Sequence, residues 1–303
     1  MKNVGPHLAL IVCNVIWAMD YPLYTLVLGK YVGPLPMVTA ALIVTALMSL
    51  VPLLWERPER VEPRDKRLFL GAALLVGVVR KLMMMYGLAR TSPIDGSIIA
   101  TVSPLLVLII SVALGLDRFS KRKIAGLLLG MGGAVAVVLT GAAARHERSG
   151  MVGNILIFAS ACTSACYMVW FKRLVTRYHI TTVMRWIYCI AAVVILPFGA
   201  DSLLHTDFTI LHGRILWATL FVIFVPTYLP NLMLNYALSK IPPTVTSIYG
   251  YLQPVLAIVL SVAMRLDKLR WDTVFFAAVI FVGVWFVITS YKKSRLADGS
   301  KGI

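Results

Sequence analysis

The chain has 303 residues, of which 59% are hydrophobic and 14% charged, whereas a soluble globular domain holds about 45–50% apolar and about 25% charged residues. That balance excludes an ordinary soluble domain. The formal net charge of +16 comes from 29 Lys and Arg against 13 Asp and Glu, but the basic residues form short clusters between apolar runs, which argues against a nucleic-acid partner.

A hydrocarbon layer about 30 Å thick needs about 20 apolar residues per helix, and ten stretches meet that length: residues 8–28, 37–55, 68–88, 96–116, 124–141, 151–171, 182–199, 215–238, 244–266 and 271–291. The first is long, lacks a small-residue cleavage pattern and precedes nine more, so it reads as a retained helix rather than a signal peptide. The connections are short, several carrying Pro or Gly, as in Gly33-Pro34-Leu35-Pro36 and Pro242-Pro243. They leave no room for a soluble domain. The expected fold is therefore an all-α polytopic membrane protein.

Polar groups interrupt these spans at specific depths. The first helix carries Asn14, Trp17, Asp20, Tyr21 and Tyr24, with Pro22 beside them expected to kink it. Asp20 lies twelve residues past Leu8, about 18 Å into the layer at about 1.5 Å per residue. Arg80 lies twelve residues past Leu68 in the third helix, which enters from the same side, so the two charges share a depth and an ion pair is open to them. Lys81 is one residue on and points about 100° away. A central charge costs about 2.5–3.5 kcal/mol on insertion scales, so an idle trio is disfavoured. Either these groups line a cavity, or Asp20 and Arg80 form a structural salt bridge.

The fourth helix carries Ser103 before Pro104, and the ninth carries Gln253 before Pro254. Each proline removes a helix hydrogen bond, so both helices are expected to break there. The eighth helix holds Pro226 and Pro230, expected to break it likewise, together with Tyr228, Asn231 and Asn235. The sixth offers Thr163, Ser164, Cys166 and Tyr167, and the ninth adds Tyr249 and Tyr251. Each of these is a ligand contact or a packing group. Arg185 sits near a helix end and can snorkel, Asp95 can cap the fourth helix, and Asp117 and Asp267 beside Arg118 and Lys268 read as helix-end anchors. Cys13, Cys162, Cys166 and Cys189 all lie in apolar segments with no disulfide or metal spacing, so no metal and no cofactor is expected. The five histidines lie in loops or at helix ends, away from any cluster of reactive groups, and an enzyme is not expected.

Shifting the sequence by 150 residues places 86–141 on 236–291 without a gap, with 14 identities in 56 positions. Tyr86 meets Tyr236, Pro93 meets Pro243, Pro104 meets Pro254, Ser111 meets Ser261, Asp117 meets Asp267 and Gly133 meets Gly283. Duplication follows. Each copy has five spans, an odd number, so the copies are inverted: residues 1–143, then 144–291, with a basic tail at 292–303 that is expected to be cytoplasmic. Inverted halves that exchange conformations around a central site are transporter architecture. With the N-terminus inside, the cytoplasmic segments hold 18 Lys and Arg and the outer segments 8. The positive-inside rule then puts both termini in the cytoplasm.

The stretch Tyr86-Gly-Leu-Ala-Arg-Thr-Ser-Pro, Ser103-Pro104 and Leu116-Asp117-Arg118, with its partner Tyr236-Ala-Leu-Ser-Lys-Ile-Pro-Pro, Gln253-Pro254 and Leu266-Asp267-Lys268, resembles the drug/metabolite transporter superfamily, specifically its EamA-type ten-helix exporters. The resemblance covers nearly the whole chain. Asp117 and Asp267 stand where members usually carry Glu, Trp17-Ala18 stands for Trp-Gly, and Met19-Asp20-Tyr21-Pro22 departs from the usual pattern. The resemblance implies export across a bacterial-type inner membrane. The solute is then an amino acid or similar small polar metabolite, its carboxylate meeting Arg80 and Lys81 while Asp20 meets an amine or a coupling proton. The alternatives are export of organic cations or lipophilic drugs, and a non-transporting scaffold or sensor.

Overall fold

The computed structural model describes residues 4–28, 30–116, 120–126, 128–130, 132–133, 136, 148–265 and 271–299. The protein is an all-α, polytopic membrane protein. In the first repeat, α1 spans Val4–Val27, α2 Pro34–Leu50, α3 Pro63–Ala72, α4 Arg80–Leu88, α5 Pro93–Ala100 and α6 Ser103–Ala113. In the second, α7 spans Arg148–Trp170, α8 Lys172–Arg177, α9 Ile180–Leu204, α10 Gly213–Lys240, α11 Pro243–Ile248, α12 Leu252–Ala263 and α13 Trp271–Gly299. Among the described residues eight stretches are long and apolar enough to cross a membrane, and a shorter one, Val274–Gly283, lies within α13. The fifth expected span, 124–141, lies largely outside the described residues, as do Asp117 and Asp267.

Proline starts many of these helices. Pro34, Pro63, Pro93 and Pro243 sit in the first turns of α2, α3, α5 and α11, where a missing N–H costs nothing. Ser92 caps α5, its Oγ accepting from the Asp95 amide at 3.0 Å.

The packing between halves repeats itself. The first span, α1, packs on α10 and α12 of the other half, just as its counterpart α7 packs on α4 and α6. The second span packs on its own counterpart, α2 against α9. A twofold operation exchanging the halves reproduces this pattern, and five passes separate each helix from its mate, so the mates run in opposite directions. The exterior of the bundle is apolar: Trp217 is 73% exposed and Phe198 71%, while Asn14, Asp20, Asn231 and Asn235 are buried. Polar inside and greasy outside is the distribution that a lipid solvent requires.

The fourth and ninth spans are interrupted at equivalent places. The fourth turns at Thr101 and Val102, between α5 and α6. The ninth passes through a 3₁₀ turn at Tyr249–Tyr251, between α11 and α12. Both breaks precede the proline, because Pro104 and Pro254 cannot bond the carbonyls of Ala100 and Gly250 one turn earlier. The eighth span differs from expectation: α10 continues through Pro226 and Pro230 without a break. The carbonyls around those prolines find donors on α1. The Trp17 indole N–H donates to the Pro226 carbonyl at 3.3 Å, and the Cys13 thiol to the Pro230 carbonyl at 3.3 Å. Pro22 likewise sits within an uninterrupted α1.

The third span holds a feature absent from the expectations. Between α3 and α4 the chain forms a π-helical segment, Ala73–Val79, ending directly before Arg80 and Lys81. Such i→i+5 turns are rare and concentrate at functional sites.

Candidate functional site

The unwound points and the deep charges converge on one central cavity. From the first half it is lined by Asn14, Trp17, Asp20 and Tyr21 of α1, by Arg80, Lys81 and Met84 of α4, and by Ala100, Ser103 and Pro104 at the α5–α6 junction. From the second half come Ser160, Ser164 and Tyr167 of α7, Asn231 of α10, and Thr246, Ser247, Gly250 and Gln253 at the α11–α12 junction. Ala100 and Gly250, whose carbonyls the two prolines leave without a helical donor, face the same space. It lies between the halves, where an inverted repeat places a substrate site.

Its electrostatics are uneven. Asp20 is buried, and among the described residues its Oδ1 has no hydrogen-bond partner; Arg80 Nε is buried and equally unpartnered among them. Among the described residues neither Arg80 nor Lys81 comes within the 4.0 Å of a direct ion pair with Asp20. Of the two readings open to them, the direct Asp20–Arg80 salt bridge is not formed among the described residues, and both residues line one cavity. Equal depth along two helices does not bring side chains together when the helices present them from different walls. Arg80 and Lys81 both line the cavity. The Lys81 ammonium donates to the Tyr24 hydroxyl at 3.4 Å and lies 6.0 Å from its ring centroid. Two cations thus line the same largely apolar hollow as one carboxylate, a balance that suits a ligand bearing a negative group and a smaller positive one.

A hydrogen-bonded chain ties the two halves beside this charge. Gln253 Nε2 donates to Asn14 Oδ1 at 2.6 Å, and the Tyr21 hydroxyl donates to Gln253 Oε1 at 3.4 Å. Asn14 and Asn231 each use their amide nitrogen on a carbonyl one turn back, Leu10 at 2.7 Å and Thr227 at 2.8 Å. Asn231 Oδ1 and the Ser103 hydroxyl make no protein hydrogen bond among the described residues.

Four expected site residues stand elsewhere. Tyr24 lies behind Lys81, holding it rather than lining the space. Asn235 accepts from the Tyr167 hydroxyl at 2.7 Å and donates to Met184 Sδ at 3.3 Å, so it positions Tyr167 from behind. Tyr249 pairs with His7 Nδ1 at 2.6 Å, linking α1 to the α11–α12 break. Tyr228 packs, half-buried, against the main apolar core. The Pro254 side chain lies outside what the structure describes.

A profile of the EamA-like transporter family matches this chain twice, over residues 5–139 and 151–289. The chain belongs to the EamA-like transporter family. Among curated relatives, an uncharacterized transporter of Bacillus subtilis, YetK, is 24% identical over 217 residues, covering 70% of this chain and 64% of that protein. An uncharacterized transporter of Archaeoglobus fulgidus is 20% identical over 284 residues, covering 93% of this chain and 97% of that one. A solved crystal structure superimposes with a TM-score of 0.68 at 18% identity, covering 94% of this chain and 98% of that chain, and so shares the fold.

Sequence reasoning missed several walls of this EamA-like cavity. Ile157, Ser160 and Ala161 join Ser164, Tyr167 and Met168 in one stripe of α7. Their spacing of three and four residues marks a single helix face leading back from Tyr167, a signal readable in the sequence. Ser160 Oγ also donates to the Arg80 carbonyl at 3.1 Å, fastening α4 to α7. Thr246 and Ser247 line the cavity from the short helix before the ninth-span break.

The Trp17 contact is separable from packing. Trp17→Phe keeps the ring face and removes the N–H from the Pro226 carbonyl. We expect a loss of about 1 kcal/mol, read as a lower melting temperature of the solubilised protein, whereas Trp17→Phe with unchanged melting would show that water satisfies this carbonyl equally well.

Proposed function

We propose that this transporter exports a small polar metabolite, an amino acid or a related zwitterionic solute, by alternating access. The observation that carries the reading is a pair of buried atoms that have no partner among the described residues and belong to two residues lining one cavity between the inverted halves, Asp20 Oδ1 and Arg80 Nε. Buried polar atoms without partners are costly and uncommon, and a ligand carrying both a carboxylate and an amine would satisfy both. In this reading Arg80 and Lys81 take the carboxylate, Asp20 takes the amine or the coupling proton, and Asn14, Trp17, Tyr21, Ser103, Tyr167, Asn231 and Gln253 shape the site. Tyr24 and Asn235 position it. The repeats are assigned to 1–143 and 144–291, with the 292–303 tail and the N-terminus in the cytoplasm, as the distribution of Lys and Arg supports. The membrane is the cell's inner, energised one. Export rather than uptake rests on the family resemblance.

Counterflow tests the reading directly. Proteoliposomes preloaded with one unlabelled solute at a time are diluted into a trace of the labelled solute. Accumulation is expected for a zwitterionic amino acid and absent for a permanent organic cation, since two cations line the cavity. Accumulation of organic cations alone would reverse the substrate assignment, and accumulation of nothing across both panels would count against carriage of either class.

A further inference from the structure

On the face of the bundle that carries the N-terminus, the loop between the second and third spans meets the linker between the sixth and seventh. The first belongs to one repeat and the second to the other. Asp65, almost fully buried in the first turn of α3, accepts from Arg177 Nη1 at 2.8 Å and from the Tyr178 hydroxyl at 2.8 Å. Arg177 also pairs with Glu62, and the Glu62 amide donates to the Tyr178 hydroxyl at 3.2 Å. The row continues outward: the His179 amide donates to Glu59 Oε2 at 2.9 Å, and Thr181 Oγ1 to Glu56 Oε2 at 2.8 Å. Four carboxylates of one repeat are thus engaged by the other.

The twofold makes this row informative. Its operation carries these two segments onto the loops around 205–213 and 28–33 on the opposite face. There, among the described residues, the polar contacts of Asp201, His205, Asp207 and Thr209 stay within their own loop, and Lys30 lies over the neighbouring Tyr31 ring. A link present on one face and missing from its equivalent differs in energy between the two conformations that the halves can exchange. We infer that the Glu56–Asp65 and Arg177–Thr181 row is a clasp between repeats that holds the cavity closed on the N-terminal face and must release for it to open there. The inference rests on the alternating-access reading above.

The test reads exposure, not transport. In a variant with the four native cysteines replaced by alanine and Ser164→Cys placed in the cavity wall, labelling by a membrane-impermeant maleimide is timed from each face of vesicles of known sidedness. Arg177→Gln and Asp65→Asn should each speed labelling from the N-terminal face about fivefold or more, the lower end of a switching bias, and slow it from the other. The exchanged pair Asp65→Arg with Arg177→Asp should return both rates toward the starting values. If those variants do not fold, Glu59→Ala with Thr181→Ala, at the outer end of the row, should shift the rates in the same sense. Unchanged rates, or equal acceleration from both faces, would overturn the clasp. Counterflow that persists beside unchanged rates would sink the clasp alone. Rates that shift as expected in a protein without counterflow would sink the solute assignment and leave the clasp.

Discussion

Asp20→Asn should reduce counterflow of a zwitterionic solute to a small residue while leaving a folded, monodisperse protein. The side chain keeps its shape, loses its charge, and leaves Arg80 and Lys81 facing a neutral amide across the cavity. A hydrogen bond to a charged partner is worth about 1.5–3 kcal/mol, so the lost contact with a substrate amine amounts to about tenfold to a hundredfold in affinity. If Asp20 also carries the coupling proton, residual transport will no longer respond to an imposed pH gradient. The competing role is bulk neutralisation of two buried cations. It predicts another outcome: Asp20→Asn lowers stability, and adding Lys81→Met restores both stability and transport. A double-mutant cycle on melting and counterflow separates the two. Transport recovered by the second substitution would demote Asp20 to a charge balance.

Much of this site was legible because membrane helices obey few rules. Run lengths placed the spans, and the 150-residue shift located the two breaks, since a proline acts on the carbonyl one turn before it whatever surrounds it. Depth, counted along two helices entering from one side, put Asp20 and Arg80 in one layer. Pairing was not legible, because it depends on the rotation of each helix about its axis. In the third span that rotation is altered by the π-helical turn at Ala73–Val79, which no residue type announces. The uninterrupted α10 was hidden for a related reason: its prolines are accommodated by donors on α1, a partner more than 200 residues away in sequence. Tyr249 was placed on the correct helix, but its hydroxyl is taken by His7 from the far end of the first span.

The wall between α4 and α7 rests on two glycines, and enlarging one should be the most damaging change outside the charged groups. A side-chain carbon at Gly153 would fall 2.9 Å from the Gly87 carbonyl oxygen and 2.9 Å from the Arg90 carbonyl carbon, both backbone atoms that cannot swing aside. At Gly87 the same carbon would lie 2.8 Å from Ile157 and 3.0 Å from the Gly153 oxygen. Helices in lipid gain little from the hydrophobic effect between themselves and associate through close van der Waals contact over small residues. Overpacking such a contact costs about 1–3 kcal/mol. Gly153→Leu must therefore push α7 off α4, and α4 carries Arg80 and Lys81 while α7 carries Ser160 and Tyr167. The Ser160 to Arg80 hydrogen bond lies about two turns along the same seam. We expect Gly153→Leu to lower the melting temperature and to abolish counterflow together, and Gly153→Ala to do both in milder form. Gly153→Leu with wild-type melting and transport would mean that the two helices part freely during the cycle, and the wall would then be a moving seam rather than a fixed one.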